Sequence, residues 1–251
     1  LAAYKLRAVP INVNYRYVAE ELRYLLNDSR AEAVIVHSQF APTLAAVLPE
    51  LPLLTVILQV PDASGNDLLP GAVWYEDALA AASADKPSVT WSPDDLYILY
   101  TGGTTGMPKG VMYDMGGMTR GFVMLGLPML GLAAPSDTSE IGALIAAASQ
   151  NGSTLVSIPA APLMHGTGCW LGWFIPHLAG GHVVTLENRS LDAHELLSTV
   201  ERHHVTSLTI VGDSFAKPII RALDEGKPGG GADDTSSIGM FISSGVMWTS
   251  E

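Results

Sequence analysis

The run Leu96-Tyr97-Ile98-Leu99-Tyr100-Thr101-Gly102-Gly103-Thr104-Thr105-Gly106-Met107-Pro108-Lys109-Gly110-Val111-Met112-Tyr113 passes from large apolar residues into a glycine- and threonine-rich loop and out again. Its first part reads as a buried strand, since a short continuous apolar run before a turn signal fits an interior β-strand. Three glycines, Gly102, Gly103 and Gly106, let the backbone turn tightly, so that successive N–H groups can converge on an anion. Thr101, Thr104 and Thr105 add hydroxyl donors and Lys109 adds a mobile positive charge. The set suits a polyphosphate. It is not a Walker A loop, because Gly110 follows Lys109 where that loop has Ser or Thr. Pro108 and the β-prone residues 111–113 point to strand–loop–strand. A glycine- and threonine-rich turn with no ligand is the bland alternative. The strand, the full Thr/Gly series and the Pro-Lys-Gly exit together put it second.

Working outward, hydrophobic periodicity alternates between helical and strand types. Residues 17–27 form an amphipathic helix, with Val18, Leu22, Leu25 and Leu26 opposite Glu20, Glu21 and Arg23. A strand is expected at 33–37, a helix at 42–48, a strand at 53–59, a polar loop at 62–71, a helix at 75–83 and a linker at 85–93. Beyond the loop, 115–130 reads as helical at least until Pro128, and 133–152 is rich in small residues and carries no assignment. Strands follow at 154–158 and 182–186 with a helix between them. Then come a helix at 191–203, a strand at 207–211, a helix at 213–224, a glycine-rich loop at 225–237 and a strand at 238–243. Strands separated by helix-length segments imply βαβ units. The fold class is α/β, with mainly parallel sheets flanked by helices.

Composition narrows the function. At 251 residues, with 48% hydrophobic and 15% charged residues, the chain can bury a large core and is not disordered. A formal charge of −12 with only 13 basic residues argues against a nucleic-acid partner. Cys169 is the only cysteine, so an internal disulfide and a cysteine-based metal cluster are excluded, which fits a reducing cytoplasm. Residues 121–134 and 166–186 are apolar, but Pro128 and three glycines break the first. Pro176, His177, Gly180, Gly181 and His182 interrupt the second, and buried helix and strand fit both better than membrane spans. Peripheral contact with a membrane is compatible with this sequence. The first residues show neither an initiator Met nor a signal-peptide layout, so the chain is expected to begin inside a longer protein.

The loop closely resembles the phosphate-binding signature of the adenylate-forming superfamily, which comprises acyl-CoA synthetases, luciferases and nonribosomal peptide adenylation domains. Other segments agree in order. Ala8-Val9-Pro10-Ile11-Asn12-Val13-Asn14 followed by Glu20-Glu21-Leu22-Arg23-Tyr24-Leu25-Leu26 is similar to the upstream part of acyl-CoA synthetases. Pro162-Leu163-Met164-His165-Gly166 resembles their acyl-pocket motif, and Ile242-Ser243-Ser244-Gly245 their adenine and acyl-pocket strand. The likeness covers essentially the whole chain and leans toward bacterial fatty-acid or steroid-side-chain CoA ligases.

The resemblance implies a partial AMP-binding N-terminal domain over 1–251, divisible at 1–92 and 93–251, with the C-terminal domain absent. It implies ATP, Mg²⁺ and CoA as cofactors and a hydrophobic carboxylic acid as substrate. Thr101, Gly102, Gly103, Thr104, Thr105 and Gly106 would wrap the phosphates, with Lys109 anchoring the loop or a phosphate. His165 would stand beside the acyl carboxylate, and Ser244, Gly245 and Val246 would border adenine. The chain departs from the family's usual continuation there, reading Ser244-Gly245-Val246-Met247-Trp248, which alters pocket shape. The family's Mg²⁺-holding Glu and adenylating Lys would lie beyond residue 251, so these residues alone are expected to be inactive. Two rivals come from other classes. One is an esterase with Ser214 as nucleophile in a strand–turn–helix elbow, although no histidine follows it. The other is a non-catalytic nucleotide-binding module.

Overall fold

The computed structural model describes residues 1–102, 106–129, 131–152, 154–246 and 248–249. The chain forms two compact units, one of Leu1–Trp91 with Asp95–Met112, the other of Ser92–Asp94 with Tyr113–Glu251.

In the first unit a short helix α1 (Ala2–Lys5) precedes α2 (Ala19–Asp28). α2 begins two residues inside the expected span, because Val18 N–H donates to the Glu21 carboxylate (3.1 Å) and closes the first turn. Glu20 and Glu21 also favour the helix N-terminus electrostatically. β1 (Ala33–His37) lies where the apolar run predicts it, and α3 (Ala41–Val47), β2 (Val56–Val60), β3 (Val73–Trp74) and α4 (Tyr75–Ala81) follow. β1, β2 and β3 are parallel neighbours in that order, with Ala33 opposite Val56 and Leu58 opposite Val73. Leu25, Leu26, Leu44, Val47 and Ile57 are buried in one apolar cluster that also takes in Tyr100. The loop at 62–71 is stapled by buried Gln59, whose amide donates to the Asp67 carbonyl (2.9 Å) and accepts from Leu69 N–H (2.9 Å).

β4 (Leu96–Thr101) pairs with β5 (Lys109–Asp114), and the division between units falls within β5, after Met112. On the amino-terminal side Ile11 bridges Ile98 in parallel, and the Arg7 guanidinium donates twice to Asp95 (2.8 and 2.6 Å).

In the second unit, α5 (Met115–Met129) starts at an Asp114 carboxylate that accepts from Gly117 N–H (2.6 Å), and α6 (Ile141–Gln150) occupies the small-residue stretch. β6 (Val156–Pro159) is followed by a π-helix over Thr167–Phe174 that continues into α7 (Ile175–Leu178), then β7 (His182–Val183). α8 (Ala193–His203) starts where Asp192 accepts from His194 and Glu195 N–H, two residues later than periodicity alone suggests. β8 (Ser207–Ile210), α9 (Asp213–Glu225) and β9 (Met240–Ser243) complete the unit. The sheet order is β7-β6-β8-β9, all parallel. Ile158, Leu196, Leu197, Val200, Leu208 and Ile210 are at most 1% exposed, and burying each stabilises the unit by about 1.5–3 kcal/mol. β8 is buried along its whole length, as expected of a strand inside a parallel sheet covered on both faces. Among the described residues no helix is long and apolar enough to cross a membrane.

Candidate functional site

The loop between β4 and β5 has the strand–loop–strand form that Pro108 and residues 111–113 predict. Thr101 ends β4 exposed, Gly102 and Gly106 are exposed, and Lys109 opens β5 with an exposed side chain. Gly106 has φ +142°, a region open in practice only to glycine. Gly103, Thr104 and Thr105 lie outside the described residues. Buried Pro108 holds the exit, and at Gly110 an added Cβ would lie 3.0 Å from the Tyr100 ring. A hollow of about 480 Å³ beside the loop is lined by Glu20, Arg23, Tyr24, Asn27, Asp28 and Met107. Its charged lining is wrong for a hydrophobic acid.

The remaining predicted residues belong to the second unit. Pro159 registers with Thr209 and Ile210 with Ser243, so the segments after β6, β8 and β9 all leave from the carboxyl edge of one parallel sheet. That edge is where open α/β sheets bind ligands. His165 lies on the segment after β6, exposed, its N–H donating to the Pro162 carbonyl (3.1 Å) and its carbonyl accepting from Cys169 N–H (2.9 Å). The π-helix after it lies close on the sheet. A Cβ at Gly168 would sit 2.3 Å from the Ala161 carbonyl oxygen, and one at Gly172 2.6 Å from Pro159 Cβ. This places Trp170 edge-on to Tyr113 (centroids 5.1 Å, 80°) and beside Phe122, which stacks on Phe174 (5.9 Å, 25°). The Trp173 ring meets Phe174 and His177 edge-on.

Ser244, Gly245 and Val246 are exposed just after β9, with Gly245 at φ +93°. Met247 lies outside the described residues, and Trp248 is half exposed. A clamp invisible in the sequence secures this segment: Asp213 accepts from the Thr249 N–H (3.3 Å) and hydroxyl and pairs with Lys217 (3.3 Å). The Thr249 hydroxyl, ahead of the other partners, holds the Asp213 carboxyl below its ordinary pKa. Gly212 N–H donates to the Ser243 hydroxyl (3.0 Å), and Gly212 itself, at φ +52°, makes the turn from β8 into α9. The only sequence signal for this turn was the Gly212-Asp213 pair that suggested an elbow. Ser214, the esterase nucleophile of that reading, spends its hydroxyl on the Val211 carbonyl (2.8 Å). The predicted residues therefore form two groups, Thr101–Lys109 in the first unit and His165 with Ser244–Val246 in the second.

Among the described residues no three His, Cys, Asp or Glu side chains gather into a metal site.

Parallel sheets and a glycine-rich loop between paired strands define an α/β protein of a particular kind. The family model described as AMP-binding enzyme matches residues 1–249, and this chain belongs to that family. It is 42% identical over 252 residues to the medium-chain acyl-CoA ligase Mig of Mycobacterium avium, covering 99% of this chain and 44% of that protein. To the 3-oxocholest-4-en-26-oate–CoA ligase of Rhodococcus rhodochrous it is 35% identical, with the same coverage. The chain thus spans less than half the length of these relatives. Among solved structures, the anthranilate CoA ligase AuaEII bound to anthranoyl-AMP superposes with a TM-score of 0.71 at 21% identity, covering 95% of this chain and 41% of that one. ATP-bound MatB from Rhodopseudomonas palustris gives 0.70 at 21%, over 96% and 41%. At that identity the likeness is one of fold. Family membership leaves the esterase reading without support.

Proposed function

We propose that this chain is part of the N-terminal adenylation domain of an ATP-dependent acid–thiol ligase that activates a hydrophobic carboxylic acid. One observation carries the proposal: in a chain of the AMP-binding family, β4 and β5 present exposed Thr101, Gly102, Gly106 and Lys109 around one loop. Loop N–H groups and threonine hydroxyls donate to the ATP phosphates, and Lys109 offsets their charge. A carboxylate oxygen attacks the α-phosphorus, the bond to the bridging oxygen breaks, and pyrophosphate leaves; Mg²⁺, when bound, would neutralise charge on the phosphates. The CoA sulfur then attacks the acyl carbon, its proton goes to solvent, and AMP departs. The protein's part is positioning and charge stabilisation rather than covalent catalysis.

His165 is assigned to the acyl carboxylate and Ser244, Gly245 and Val246 to the adenine border, supported by their places at the carboxyl edge of the second sheet. An apolar acid fits the uncharged aromatic set Tyr113, Phe122, Trp170 and Phe174. The named substrates of the two relatives, a medium-chain acid and a steroid side-chain acid, are of the same class. The single thiol and the need for ATP and CoA support a cytoplasmic reaction. Adenylate binding is assigned to these 251 residues and turnover to the longer protein.

Calorimetric titration of the chain with a non-hydrolysable acyl-sulfamoyl-adenosine tests this. Saturable binding that weakens about tenfold or more in Lys109→Ala and Thr104→Ala is expected. A folded chain that ignores the analogue, yet hydrolyses a nitrophenyl ester through Ser214, would overturn it.

A further inference from the structure

Tyr100 is the penultimate residue of β4, one position before Thr101 at the start of the loop. It is 7% exposed, packed into the core of the first unit, and its hydroxyl donates to Asp28 Oδ2 at the end of α2 (2.6 Å). The ring lies where the other end of the loop returns. A Cβ on Gly110 would come within 3.0–3.1 Å of the ring's Cζ and Cε2, so glycine is what lets β5 run this close. Met107, near the loop's exit, lines the same hollow as Tyr24 and Asp28 of α2. One buried side chain is thus tied to α2 by its hydroxyl and touches both strands that carry the loop.

We propose that Tyr100 and Asp28 are positioning residues for the phosphate loop, forming a strut from α2 that sets the separation of the loop's two ends at Thr101 and Lys109. The inference rests on the loop's assignment to ATP phosphates. Donors must meet a phosphate within a few tenths of an ångström to hold it well, and a loop with three glycines between its strands has little stiffness of its own. The strut supplies the missing constraint without touching the nucleotide. Buried packing against Gly110 fixes the ring, and the hydrogen bond to Asp28 fixes its direction.

The test compares Tyr100→Phe, Asp28→Ala and Asp28→Asn in this chain by amide hydrogen exchange and MgATP titration. Tyr100→Phe and Asp28→Ala are expected to speed exchange at Gly102, Gly106 and Met107 by about tenfold, leaving Ile57 and Leu58 of β2 unchanged. Asp28→Asn, whose amide oxygen still accepts from the phenol, is expected to restore slow exchange. MgATP affinity should fall with loop order and recover with it. Unchanged loop exchange, or equal loosening of loop and β2 as from a general packing defect, overturns the strut. The wild-type titration separates the two failures. Binding that depends on Lys109 but ignores Tyr100 removes the strut alone. No MgATP binding by the folded wild type removes the adenylation reading and the strut with it.

Discussion

Gly110 shows how a residue can matter through what it lacks. The glycine-rich character of the loop was plain in the sequence, and so was the threonine and lysine chemistry of Thr101 and Lys109. The reason for glycine at 110 was not, because it depends on a tyrosine ring ten residues earlier and an aspartate 72 positions before that ring. Such distances carry no periodic signal. Gly110→Ala places a methyl group 3.0 Å from the Tyr100 ring, which is wedged in the core and cannot easily swing away. Denaturant unfolding is expected to show a loss of about 1–3 kcal/mol, the usual cost of overpacking. Gly102→Ala is the matched control, since nothing lies within 4 Å of the added Cβ.

At the level of elements, β1, β4 and α9 were legible almost to the residue, because continuous apolar runs and helical stripes are local signals. Other elements were not. β3 has two residues, too few to alternate. α6 was unassigned because Ile141–Gln150, rich in alanine, has no polar face to contrast with an apolar one. The expected strand at 182–186 shortens to His182–Val183, although Val184 N–H still reaches the Ser157 carbonyl (2.9 Å). The helix expected between β6 and β7 exists, but its first eight residues are wound as a π-helix, a pitch that hydrophobic patterning does not distinguish from an ordinary turn. Its seat on the sheet is set by backbone approach at Gly168. Gly168→Ala would put a methyl 2.3 Å from the Ala161 carbonyl and 2.6 Å from that of Pro162, so the helix start must lift. A loss of about 3 kcal/mol or more is expected in urea unfolding, with altered fluorescence from nearby Trp170.

For the molecule as a whole, two anchored groups each make stability depend on pH. Tyr100 is held neutral, its pKa raised chiefly by burial and then by the hydrogen bond to Asp28. Its contribution is complete below the unfolded value and is lost as pH climbs beyond about 10. Asp213 is held ionised below the ordinary carboxylate range, so its contribution is present above about pH 4 and disappears as pH falls through the folded value. Urea midpoints measured from pH 3 to 11 are expected to decline at both ends, the alkaline decline shrinking in Tyr100→Phe and the acid decline in Asp213→Asn. The partners that brace β4 have a further consequence in time. Arg7 waits for Asp95 and Asp28 for Tyr100, separations of 88 and 72 residues, while Ile11 waits for Ile98. On a ribosome the amino-terminal segment is therefore made long before the strand it supports, and the loop acquires its shape only when that strand has emerged and returned to it. A nascent chain completes this region late, and one begun a dozen residues downstream would emerge without the Arg7 and Ile11 contacts to β4, keeping only the hydrogen bond from Tyr100 to Asp28.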